Sequence, residues 1–146
     1  MQDDDIDLIA QVAEAAIKRQ GIATSERNEA VAVISPHQNN FAMRLRTEVW
    51  AGEPPDGLDD WQEAFLTGLV AGERGLRYES PTVAWERISV PPGRYAARIT
   101  GCGFVQRGWP GSTKPGDTWR VQLWPVTRPM PARRLRAWAD PGRTTP

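Results

Sequence analysis

Two segments, "VPPGRYAARITGCGFV" (90–105) and "DTWRVQLWP" (117–125), alternate apolar and polar residues between Gly and Pro breaks. A period of two is the signature of a half-buried strand. It sends Tyr95, Ala97 and Ile99 inward with Trp119, Val121 and Leu123, and Arg94, Arg98 and Thr100 outward. Pro91, Pro92 and Gly93 form the turn into the first strand, and Pro125 ends the second. "FAMRLRTEVW" alternates in the same way, with Phe41, Met43, Leu45, Thr47 and Val49 facing one side and Arg44, Arg46 and Glu48 the other. It reads as a half-buried antiparallel strand. "VAVIS" is a β-branched run stopped by Pro36. In "TVAWERISV" the apolar positions Val83, Trp85, Ile88 and Val90 change parity midway, as a bulge would require. With 13 Gly and 13 Pro in 146 residues, the expected fold is mainly β. It is an antiparallel β-sandwich with an N-terminal α-helix and a short helical or disordered C-terminal tail.

Helical patterning is local. Asp3, Asp4 and Asp5 offer caps and favourable charge to a first helix. Its stripe is Ile6, Ile9, Ala13, Ala16 and Ile17, widened by Leu8 and Val12, with Lys18 and Arg19 in the last turn and Gly21 beyond it. Further on, "LDDWQEAFLTG" places Trp61, Ala64, Phe65 and Gly68 on one side, which predicts one or two helical turns. The segment after it fits either a tight hairpin around Gly72–Gly75 or a helix continuing through Ala71. A last short helix is expected between Pro131 and Asp140. The organisation is then a helix at 1–21, a polar linker at 22–30, a β-sandwich at 31–125 and a Pro/Arg-rich tail at 126–146.

Charge divides unevenly along the chain. Residues 1–86 hold 7 Lys/Arg against 16 Asp/Glu, a net of −9, while residues 87–146 hold 11 against 2, a net of +9. Such polarity either steers a charged partner or pairs one half with the other. A single cysteine allows no internal disulfide, the start lacks a secretory pattern, and no apolar run reaches the roughly 18 residues of a membrane helix. These features predict a cytoplasmic protein with no membrane segment.

Catalytic and metal-binding signals are sparse. The only histidine, His37, follows Pro36 at a strand–loop junction, and no nucleophile elbow accompanies it. Cys102 lies between Gly101 and Gly103, where a small buried residue at a strand end explains it better than a nucleophile. The acid clusters Asp3–Asp7 and Asp59, Asp60 and Glu63 stand at expected helix starts, where acids collect anyway. No cofactor, no metal site and no enzymatic activity are expected. Among the seven tryptophans, Trp61, Trp85 and Trp119 fall at core positions. Trp50, Trp109, Trp124 and Trp138 lie at strand ends, in loops or in the tail. Aromatics beside Arg suit a protein interface, a sugar-binding sandwich or a nucleic-acid groove. The basic tail (Arg128, Arg133, Arg134, Arg136) would add phosphate affinity to the last of these.

The landmarks "ISPHQNNFAMRL", "DDWQEAFLTGLVAGERGLRYE", "ISVPPGRYAARITG" and "GDTWRVQLWP" resemble, in order, those of the bacterial competence protein J family. At "PPGRY" and "WRVQLWP" the chain is also similar to uncharacterised actinobacterial proteins. His37, Gln38, Asp60, Trp61, Gly93, Tyr95, Asp117 and Trp119 match the family pattern over roughly residues 33–125. The resemblance implies a small β-sandwich that binds and inhibits a nuclease. A nuclease groove is basic, so the complementary face needs placed carboxylates and aromatic anchors. Trp50, Glu53, Asp56, Asp59, Asp60 and Trp61 are the candidates. The expected partner is therefore a protein, a nuclease or toxin, met by an inhibitor or immunity-type module. Nucleic acid bound by the basic C-terminal third is the alternative, and a carbohydrate-binding sandwich a further one.

Overall fold

The computed structural model describes residues 3–19, 21–33, 44–55, 57–80, 83–102 and 118–137. Helix α1 (Asp3–Arg19) is followed by strands β1 (Ile22–Thr24), β2 (Val31–Val33) and β3 (Arg44–Val49). A 3-10 turn (Leu58–Asp60) leads to β4 (Glu63–Ala71), β5 (Leu76–Ser80), β6 (Val83–Ile88), β7 (Gly93–Cys102), β8 (Thr118–Pro125) and β9 (Arg133–Arg136). The fold is mainly β, as expected. A five-stranded sheet in the order β3-β8-β7-β4-β9 accompanies two separate ribbons, β1-β2 and β5-β6.

The alternation in 93–102 and 118–125 places the core. Registers Ile99↔Val121 and Ala97↔Leu123, with Phe65↔Ile99, align one face of the sheet. Phe65, Tyr95, Ala97, Ile99, Trp119 and Leu123 form its buried cluster. Both ribbons close over this cluster in a sandwich-like layering, β1-β2 through Ile22, Val31 and Val33 and β5-β6 through Leu76 and Ile88. Gly101 belongs to the same face, and a Cβ there would stand 2.7 Å from the Trp119 ring. Close approach therefore explains that glycine.

Helix α1 lies on the opposite side of the β1-β2 ribbon, where Val12 and Ala16 meet Ala23 among smaller alanine contacts. The buried stripe is rotated from the expected one. Ile17, assigned to it, is 61% exposed.

Several expected elements are replaced. Residues 63–71 form a strand and not helical turns, because β4 pairs with β7 on one side and β9 on the other. A strand buried on both faces reads as a continuous apolar run, which periodicity does not separate from a helix. The tight turn at Gly72–Gly75 is present, closed by the Gly75 N–H donating to Gly72 O at 3.0 Å, and it rules out the continuing helix. The chain nevertheless leaves one sheet for another there. The irregularity expected in β6 is found opposite Tyr78 and Ser80.

Residues 22–30 form β1 and a closed turn rather than a loose linker. Asn28 adopts φ 60, is 1% exposed and donates from Nδ2 to Met130 O at 2.9 Å. Its Oδ1 accepts from the Met130 N–H at 2.9 Å, and Val70 N–H donates to Asn28 O. Gly68 is needed beside it, since a Cβ there would strike the Asn28 side chain. In the tail, residues 133–136 form strand β9, not a helix, because the free edge of β4 accepts them. Finally, β3 pairs with β8 in parallel rather than antiparallel fashion, Arg44↔Thr118 through Val49↔Leu123.

Candidate functional site

The second face of the five-stranded sheet is not a solvated one. Arg98 and Thr100, assigned outward by alternation, are 4% and 0% exposed. The registers Arg98↔Gln122 and Glu48↔Gln122 place three polar side chains in one row across β7, β8 and β3. The Arg98 guanidinium donates to Gln122 Oε1 through Nε at 3.1 Å and through a terminal nitrogen at 3.0 Å. Gln122 Nε2 donates onward to Glu48 Oε1 at 3.1 Å. Trp50 Nε1 donates to that same oxygen at 2.9 Å, and Arg46 pairs with Glu48 Oε2 at 3.0 Å. Burial would push the Glu48 carboxyl up. The bonds from Trp50 and Gln122 and the charges of Arg46 and Arg120 outweigh burial and hold it below the usual glutamate range.

This row fixes the loop that crosses it. A terminal nitrogen of Arg98 also donates to Pro54 O at 3.0 Å and Pro55 O at 2.7 Å, and Pro54 is buried. Arg98 lies over the Trp124 ring at 5.5 Å, and Arg120 lies over Trp61 at 4.6 Å. Bidentate geometry and stacking both suit Arg, and neither suits Lys. The loop between β3 and β4 is thus anchored in its middle by Arg98 and at its end by Trp61.

The expected interface residues separate on this frame. Trp50 is 38% exposed, with its indole oriented by Glu48. Glu53, Asp59 and Asp60 are exposed, while Trp61 is half-buried under Arg120. Asp59 stands 3.6 Å from Arg136 of β9, so the acidic loop already meets one cation of the basic tail. Another tail cation, Arg134, pairs at 3.4 Å with Glu63, which is 4% exposed. A groove of about 560 Å³ runs between this loop and β9, lined by Glu53, Pro54, Pro55, Leu58, Leu66, Arg98, Arg133 and Leu135. Asp56 lies outside the described residues, as do His37, Gln38, Asp117, Trp109 and Trp138.

Of the remaining family-pattern positions, Trp119 and Tyr95 are core, and Tyr95 donates to Pro91 O at 2.6 Å. Gly93 starts β7 at φ 151. Trp119 and Tyr95 shape the fold from within the core, while Gly93 is exposed at the turn into β7. Trp124, set apart from the core positions in the sequence, is 8% exposed under Arg98. Sequence reasoning passed over Arg98, Gln122 and Glu48. The signal for them is that Gln122 and Trp124 share a parity in "TWRVQLW", which marks that face as covered. Cys102, at the end of β7, is half-buried.

Among the described residues no group of three or more His, Cys, Asp or Glu could hold a metal ion, and no helix is long and apolar enough to cross a membrane. Compared with protein-family models, curated proteins and solved structures, the chain matches none.

Proposed function

We propose that this chain is a non-enzymatic, cytoplasmic protein-binding module, an inhibitor or immunity-type partner of a nuclease or toxin that presents a basic surface. One observation carries the reading. A solvent-exposed tryptophan, Trp50, is held in one orientation at the mouth of an acid-bearing loop that the buried Arg98 pins to the sheet. Hot spots at protein interfaces are rigid aromatics beside pre-placed polar groups, and ordering them beforehand removes an entropic cost of binding. Glu53, Asp59 and Asp60 supply the negative field that steers a basic partner.

The nucleic-acid alternative loses support from two ion pairs. Arg134 and Arg136 face Glu63 and Asp59, so phosphate would compete with carboxylates already in place. Charge reversal tests the proposal. Asp59 and Asp60 are exposed, so Asp59→Lys with Asp60→Lys leaves the core untouched. With a nuclease encoded beside this chain as the probe, the double variant is expected to weaken inhibition at least about thirtyfold. Undiminished inhibition removes this face from the account. A salt-sensitive gel shift with single strands in place of nuclease capture favours the nucleic-acid reading.

A further inference from the structure

Strand β3 ends the five-stranded sheet, and among the described residues no strand pairs with its outer side. Its six-residue register with β8 runs without a shift, and "RLRTEV" contains no proline. A regular, proline-free edge that is unpaired among the described residues is a template for another strand.

Backbone parity fixes which groups face outward. The Trp50 N–H donates to Leu123 O of β8 at 2.7 Å. A residue's N–H and C=O point to the same side of a strand, and the sides alternate along it. Arg46, Glu48 and Trp50 therefore bond toward β8, while Leu45, Thr47 and Val49 offer their N–H and C=O groups outward.

We propose that β3 pairs antiparallel with β3 of a second copy of this chain, about a two-fold axis at Thr47, joining two five-stranded sheets into one. The strand is chemically self-complementary about that residue. Thr47 faces its own copy, Leu45 faces Val49, and Arg46 faces Glu48, each pair occurring twice. All the hydrogen-bonded pairs match outward-facing residues with outward-facing residues, giving about six backbone bonds across the axis. On the core side, the 49% exposed Val49 is covered by the partner's Leu45. On the other side, the existing Arg46–Glu48 pair becomes a ring of four alternating charges.

Charge also selects the register. Parity lets the antiparallel pairing slide in steps that move the axis by one residue, and the nearest alternatives place it at Arg46 or Glu48. The first sets Arg46 against Arg46 and the second Glu48 against Glu48. Like charges directly opposite each other disfavour both. A two-fold axis makes such an interface isologous and closed, so pairing stops at the dimer.

Sedimentation velocity of the full chain at low salt and high micromolar concentration tests this. The expected species has twice the 16.3 kDa mass of one chain. Thr47→Pro removes an outward N–H and no bond to β8, so it is expected to give a folded monomer by circular dichroism. Arg46→Glu, at a side chain 77% exposed, is expected to weaken the dimer at least about tenfold. Mixing Arg46→Glu with Glu48→Arg is expected to restore it as a heterodimer, since each chain then opposes the other's charges. A monomeric native chain overturns the proposal. So does a dimer that Arg46→Glu leaves at native strength, or one that survives in folded Thr47→Pro.

Discussion

Glu48 is where the sheet, the loop and the exposed indole meet, through Gln122, Arg46 and Trp50. Its carboxyl is held below the usual glutamate range, so the folded state binds a proton less readily than the unfolded chain. The stabilisation is fully present above the unfolded pKa of about 4.3 and is lost as pH falls through the lower folded value. Glu48→Gln is expected to flatten the acid side of the stability–pH curve below about pH 5, read by urea unfolding at successive pH values. An unchanged slope would detach Glu48 from this network. The same residues show what alternation conveys and what it omits. Period two correctly divided Leu45, Thr47 and Val49 from Arg46 and Glu48. It then took Arg98 as solvated, because a pattern records polarity and not whether a loop returns to cover the polar side.

Elements were legible in proportion to how one-sided they are. Strands β3, β7 and β8 keep apolar residues on one face and mostly polar ones on the other, and were readable from their sequence. Strand β4 is buried on both faces and pairs on both edges, so it carried a helix-like apolar run. The short β9 owes its existence to β4, a partner far away in the chain, and no local pattern encodes such a partner. Asn28 illustrates the dependence, since its side chain bonds both main-chain groups of Met130. Asn28→Ala leaves those groups unpaired and holds a non-glycine residue at φ 60. It is expected to cost about 2–4 kcal/mol in urea unfolding. Asn28→Gly relieves only the backbone part and should be the milder change. A loss below about 0.5 kcal/mol for the alanine variant would contradict this role.

Across the whole molecule, the charge asymmetry of the sequence is resolved by topology. Strand β4, from the acidic half, lies between β7 and β9 of the basic half, and the pairs Glu63–Arg134 and Asp59–Arg136 join the two. What remains outward on the loop side is Trp50 with Glu53, Asp59 and Asp60. The proposed β3 dimer would place one such loop at each end of the paired strands, with the two Trp50 positions about 20 Å apart along them.

The sequence showed the tryptophan and the acids. Arg98 as their anchor was signalled only indirectly, by the shared parity of Gln122 and Trp124, because Pro54, Pro55, Arg98 and Gln122 come together through long-range pairing. The central claim, that Trp50 on its fixed loop is the anchor of a protein interface, is tested most directly by one titration. The affinity of a nuclease encoded beside this chain is measured against the native protein and against Trp50→Ala. Loss of a central aromatic anchor predicts a dissociation constant at least about thirtyfold weaker. Equal affinities for the two proteins would contradict it.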